Sequence, residues 1–185
     1  AKERSKLTKS FFPAIKLGRT KMVHKLLKRG VGVNKARREG DRETPLYYAC
    51  QYEQEEVVRV LLKNGADANL AATDEAVTPC YMACETKNEA VVRMLIENNA
   101  DCNQVTNLGA SPFFIACQEG GEGVVRLLLE NFDVDINRNE TGHEISPLFI
   151  ASINGHAEVV RLLIEYNADI NQRDIVHAKS KVVRR

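Results

Sequence analysis

The chain has 185 residues, 44% of them apolar and 28% charged, with a net charge of +1. These proportions are ordinary for a globular protein. No run approaches the roughly 18 apolar residues that a membrane helix requires, and no apolar segment of signal-peptide type stands at the start.

The net charge hides a polarity. Residues 1–42 hold 14 Lys/Arg against 3 Asp/Glu, residues 43–171 hold 7 against 21, and residues 172–185 hold 5 against 1. A sign split of this size is a clue to partners. The chain begins at Ala1 without methionine and reads as a monomer or a piece of something longer.

In chain order, residues 1–9 form a basic lead-in. Residues 10–34 then read as a first helical pair, with Ala14, Gly18, Leu26, Leu27 and Gly30 in register. Pro13 would clash inside a helix, so the first helix is expected to begin at Phe12 or Pro13. Lys35 to Glu43 reads as an exposed turn carrying Arg37, Arg38 and Arg42.

Residues 44–69 open with Thr44-Pro45-Leu46 and reach Val57-Val58 twelve residues after the proline. Thr and Ser suit an N-cap, and proline suits the first helical position. Residues 78–103, 111–137 and 146–171 repeat the scheme, from Thr78-Pro79, Ser111-Pro112 and Ser146-Pro147 to Val91-Val92, Val124-Val125 and Val159-Val160. Arginine follows each valine pair, as Arg59, Arg93, Arg126 and Arg161. Each unit closes on Asp-x-Asn: Asp67 to Asn69, Asp101 to Asn103, Asp135 to Asn137, Asp169 to Asn171.

Glu53 and Lys87 stand where the later units have an inter-helix glycine, and so face a left-handed conformation. Gly120, Gly121 and Gly123 crowd the start of the fourth unit's second helix. One residue is inserted within Asn131-Phe132-Asp133-Val134. After Asp174 a sixth unit begins and fails, leaving a basic tail, 175–185.

The prolines lie 34, 33 and 35 residues apart. A period near 33 residues with an opening Thr-Pro-Leu-His-x-Ala pattern marks ankyrin repeats, and residues 7–174 resemble that family. The opening histidine is replaced throughout by Tyr47, Tyr81, Phe114 and Phe149, which with Phe12 form an aromatic row read as inter-repeat core. The resemblance implies an all-α solenoid of five helix-turn-helix repeats within residues 10–174, with hairpin-like fingers and no extended sheet.

Chemistry is scarce. Cys50, Cys84 and Cys117 hold one site in three successive repeats and read as small packing residues. Five cysteines without a CxxC pair argue for a reducing compartment, hence an intracellular, cytoplasmic or nuclear protein. Cys80 and Cys84 lack the further ligands that zinc needs. The four histidines belong to no catalytic motif, and His156, after Gly155, reads as structural. There is no P-loop and no marked carboxylate pair. The expectation is no enzyme, no catalytic residue, no metal and no cofactor.

Stacked repeats bend into a concave surface. In similar proteins the first helices and the fingers face that groove. The residues this implies as partner-binding are Gln51, Tyr52, Glu85, Thr86, Gln118, Glu119, Ile153 and Asn154 on the helices, with Glu43, Val77 and Ile145 just before the openers. Ala110 stands in that last column too. Asp74, Glu75, Asn107, Leu108, Glu140 and His143 fall at finger tips, and Leu108, Ala110, Ile145 and Ile153 offer apolar surface. The leading expectation is a scaffold that binds a partner protein in the groove. The alternative is a nucleic acid or anionic surface held by residues 1–42, with Arg37, Arg38 and Arg42 as a basic patch.

Overall fold

The computed structural model describes residues 2–37, 42–72, 74–140 and 144–172. Arg38, His143 and the basic tail lie outside the described residues. Among them are ten helices: α1 (Lys2–Lys16), α2 (Thr20–Lys28), α3 (Pro45–Gln51), α4 (Glu55–Lys63), α5 (Pro79–Glu85), α6 (Glu89–Glu97), α7 (Pro112–Glu119), α8 (Glu122–Asn131), α9 (Pro147–Ile153) and α10 (Ala157–Glu165). Successive helices pair as hairpins. Odd-numbered helices pack on one another in one row, and even-numbered helices in a second.

Local chemistry sets each start. The side chains of Thr44, Thr78, Ser111 and Ser146 accept the backbone N–H of Tyr47, Tyr81, Phe114 and Phe149 at 3.0–3.2 Å. A proline follows each cap. The turn into each second helix then needs one left-handed residue. Gly18, Gly120 and Gly155 supply it freely, whereas Glu53 (φ 53°) and Lys87 (φ 56°) are held there against their Cβ.

The helices are too short to persist alone, so burial between repeats stabilises them. Ala49, Ala83, Ala116 and Ala151 are fully buried and let adjacent first helices approach. Val57, Val58, Val91, Val92, Val124, Val125 and Val159 seal the second row. Phe12, Tyr47 and Phe114 of the aromatic row are buried, while Tyr81 and Phe149 are half-buried.

The inserted residue shows in the fourth repeat. Its second helix has ten residues where its neighbours have nine, and Phe132 leaves it in an extended conformation (φ −133°, ψ 151°). Gly30, Gly65, Asn99 and Asn167 close the other four repeats in the left-handed region.

Two expectations are overturned. The first helix begins at Lys2 and runs through Pro13 rather than starting there. Leu7, Phe11 and Ile15, spaced four apart, pack against the core along it. Pro13 is exposed, on the side of the helix away from Leu7, Phe11 and Ile15. Burial on the inner face outweighs a proline cost of about 3 kcal/mol.

The second concerns cysteine. Cys80 and Cys102 form a disulfide, with Cα atoms 5.7 Å apart. They belong to one repeat, at positions filled in the second repeat by the buried pair Leu46 and Ala68. The odd count is therefore one bonded pair plus three buried thiols, and the cysteine count no longer argues for a reducing compartment.

Candidate functional site

Fingers join the repeats. Each is a short hairpin closed by one backbone hydrogen bond: Arg37 to Glu43, Ala72 to Val77, Thr106 to Ala110, and Glu140 to Ile145. In each, the residue before the closing one is left-handed: Arg42, Ala76, Gly109 and Glu144. Neighbouring fingers also bond each other. Asn107 donates its backbone N–H to the Glu75 carbonyl at 2.9 Å and its side chain to the Asp74 carbonyl at 2.7 Å.

In the stretch that leads into each finger the Asp-x-Asn motifs form a ladder. Within a motif, the aspartate accepts from the asparagine backbone at 2.9–3.1 Å. Between repeats, asparagine Oδ1 accepts the next unit's backbone: Asn34 from Asp67, Asn69 from Asp101 and Asn137 from Asp169. Asn103 donates to the Asp133 carbonyl instead, because the inserted residue shifts that loop.

The groove residues fall on the last turns of the first helices and just past them. Gln51 is half-buried, and its Oε1 is buried with no hydrogen-bond donor among the described residues. Tyr52 is half-buried. Its ring lies 4.7 Å from that of Tyr48, and Lys16 Nζ sits 4.6 Å from its centre. Part of its surface is therefore spent inside the chain.

Thr86 returns its hydroxyl to the Met82 and Ala83 carbonyls at 3.1 and 3.2 Å. Gln118 donates to Glu119 at 3.1 Å, while its carbonyl accepts Asn154 Nδ2 at 2.9 Å and lies 2.8 Å from His156 Nε2. Ile153 is 58% exposed and Leu108 is exposed.

Three residues are not where the sequence put them. Val77, 8% exposed, closes its finger and turns inward. Ala110 is buried likewise, and Glu140, expected at a tip, is buried. Ile145 is half-buried. Of the basic patch, Arg42 is exposed, but Arg37 bonds Glu43 at 3.3 Å and lies over the Tyr48 ring at 5.8 Å.

On the second helices each arginine meets a glutamate one turn back: Arg59–Glu56, Arg93–Glu89, Arg126–Glu122 and Arg161–Glu158. On the first-helix face Glu85 and Glu119 are half-buried neighbours, and among the described residues neither has an ion-pair partner within 4.0 Å. Burial first, and then the charge of Glu119, push the Glu85 carboxyl above the usual carboxylate range. The Tyr81 phenol beside them is pushed up to about 12, by burial and then by Glu85, Glu75, Glu119 and Glu140 in turn.

The cysteine column is inert. Burial raises the Cys50, Cys84 and Cys117 thiols well above their ordinary value, which disfavours the reactive thiolate. Among the described residues no group of three or more His, Cys, Asp or Glu is placed to hold a metal, and no helix is long and apolar enough to cross a membrane.

The sequence reading missed Lys16 as the partner of Tyr52 and Cys102 as the partner of Cys80. Both signals lay in the register. Lys16 occupies the Gln51 column one repeat earlier, and Cys102 occupies the inward position of Asp-x-Asn.

A family model described as ankyrin repeats (3 copies) matches residues 11–106 and 98–174. A search of the curated proteins finds no match. Ankyrin repeats generally mediate protein–protein interaction and are typically non-enzymatic. With the match extending over most of the chain, and with its paired helices, proline openers and hairpin fingers in place, this protein belongs to the ankyrin-repeat family.

Proposed function

We infer that the chain recognises a partner protein on the face formed by the first helices and fingers, around Glu85 and Glu119. The observation that carries this is a half-buried pair of like charges, Glu85 and Glu119, with no ion-pair partner among the described residues. Each of the four outer helices gives its arginine one glutamate, while Glu85 is half-buried with the like charge of Glu119 acting on it. A cation from a partner relieves that repulsion, so the partner presents lysine or arginine. Complementary charge speeds encounter and rejects acidic competitors.

Around this centre Tyr52, Gln51, Thr86, Gln118, Asn154, Ile153, Ile145 and Glu43 supply mixed polar and apolar rim. Val77 contributes its backbone position only. No catalytic step and no cofactor enters this reading.

The test is affinity capture from lysate with the wild type, a Glu85→Arg/Glu119→Arg variant and an outer-face Glu56→Arg/Glu89→Arg control. A protein partner held by the wild type and the control, and lost by the groove variant, supports the reading. Retention by the groove variant overturns it. Tyr52→Ala is a poorer probe, because it also removes the Tyr48 and Lys16 contacts.

A further inference from the structure

The second helices repeat one design, and α2 breaks it. In α4, α6, α8 and α10 an arginine is paired with a glutamate on the same helix. From Arg4 to Arg38 there is no carboxylate at all, against twelve Lys/Arg. His24 stands in the arginine column of α2, and Lys21 stands where α4 has Glu56.

Lys21, Lys25 and Lys28 are spaced i, i+4, i+7, which puts them on one stripe of the helix. All three are exposed, and the stripe lies opposite the buried Val23 and Leu26. No ion pair joins any of them to a described residue. Arg29 flanks the stripe in sequence and is exposed as well. Next to Lys21 on the same helix the chain leaves one large apolar side chain partly in solvent, Met22 at 39% exposure.

We propose that the α2 face docks the protein on an anionic lipid bilayer, with the lysines over the headgroups and Met22 at the interfacial layer. Polybasic clusters are attracted to anionic lipid by about 1 kcal/mol per cation near the surface. An amphipathic helix adds apolar area at the headgroup boundary. Nucleic acid fits less well. The two aromatics of this region, Phe11 and Phe12, are 0% and 5% exposed, so neither can stack a base. The stripe is on the row of second helices, away from Glu85 and Glu119, so docking leaves the groove open.

The experiment is vesicle co-sedimentation with the full chain. It compares phosphatidylcholine vesicles containing about 30% phosphatidylserine with pure phosphatidylcholine vesicles. The wild type is run beside Lys21→Gln/Lys25→Gln/Lys28→Gln and Met22→Ser, with circular dichroism confirming that each variant folds. The expected result is binding to the anionic vesicles only, falling as salt is raised through the range where exposed charges are screened. The lysine variant should bind on the order of 100-fold more weakly, and the Met22 variant should also bind more weakly. Three results each overturn the proposal: equal binding to both vesicles, undiminished binding by the lysine variant, or binding to a labelled DNA duplex without binding to anionic vesicles. The wild-type salt series decides the matter even if a variant fails to fold.

Discussion

Asn69 Oδ1 accepts the backbone N–H of Asp101 at 2.6 Å, and its amide donates to the Asn99 carbonyl at 3.0 Å. One side chain thus fixes the closing loop of the third repeat to that of the second. In a solenoid, stability is nearly a sum of repeat and interface terms, so such braces carry the coupling. Asn69→Ala should cost about 1–2 kcal/mol in equilibrium denaturation and speed amide exchange in the third repeat. Asn171→Ala, whose side chain makes no such bond among the described residues, should stay within about 0.5 kcal/mol of wild type.

The glycines of the fourth repeat divide by conformation. Gly120 is left-handed at φ 74°, and a Cβ there would meet the His156 ring at 2.5–2.7 Å. Gly123 is an ordinary helical residue whose added Cβ would meet only the Oε2 end of the Glu89 side chain, whose Oε1 pairs with Arg93. Gly120→Ala should therefore destabilise by more than about 1 kcal/mol. Gly123→Ala should stabilise by about 0.5–1 kcal/mol. Thermal or urea denaturation of the pair decides; the same sign for both contradicts the assignment.

The converse holds where a side chain occupies a left-handed position. Glu53 (φ 53°) and Ala76 (φ 59°) are so held, and among the described residues no ion pair of Glu53 resists change. Glu53→Gly and Ala76→Gly should each raise stability, by about 1 kcal/mol at most, since glycine also loses more chain entropy on folding. Lys87→Gly should gain less, because the Lys87 stem packs within about 3–4 Å of where a Gly121 Cβ would stand.

Glu85 gives a pH dependence with a defined sign. Its carboxyl is raised in the folded protein by burial and by Glu119. Between the ordinary glutamate pKa and this raised one, the native state holds more protons than the unfolded state. Stability contributed by Glu85 therefore falls as pH rises through that window. Glu85→Gln should stabilise at neutral pH and flatten the slope just above the usual carboxylate range. Denaturation midpoints measured across the acid range test this, and an unchanged slope would contradict it.

The Cys80–Cys102 bond closes a loop across one repeat. Loops of this size are stabilised by about 3 kcal/mol when linked. Reduction should lower the denaturation midpoint by a corresponding amount, and Cys80→Leu/Cys102→Ala should recover part of it by restoring the Leu46–Ala68 packing of the second repeat. Peptide mapping without reductant should join the peptides carrying Cys80 and Cys102. Cys50, Cys84 and Cys117 should alkylate only after unfolding.

The features legible in the sequence are those fixed over short stretches of chain. Thr44 and Pro45 announce α3 because a cap and a first-turn proline act within four residues. Glu53 and Lys87 were readable as strained from their place in the repeat. What was hidden depends on contacts across the fold. Pro13 sits inside α1 because Leu7, Phe11 and Ile15 bind the core together. Val77, Ala110 and Glu140 turn inward because a hairpin must close over something. Tyr52 looked free until Lys16 and Tyr48 were seen against it. The unneutralised state of Glu85 and Glu119 also needed the fold, since their columns become neighbours only when repeats stack.

The most direct test of the central claim is a hydrogen-exchange footprint of the chain with its captured partner. Protection is predicted at the last turns of α5 and α7, around Glu85 and Glu119, and along the fingers at Asp74–Glu75 and Asn107–Leu108. Protection confined to α4, α6 and α8, with the first-helix row unchanged, would contradict recognition through the groove.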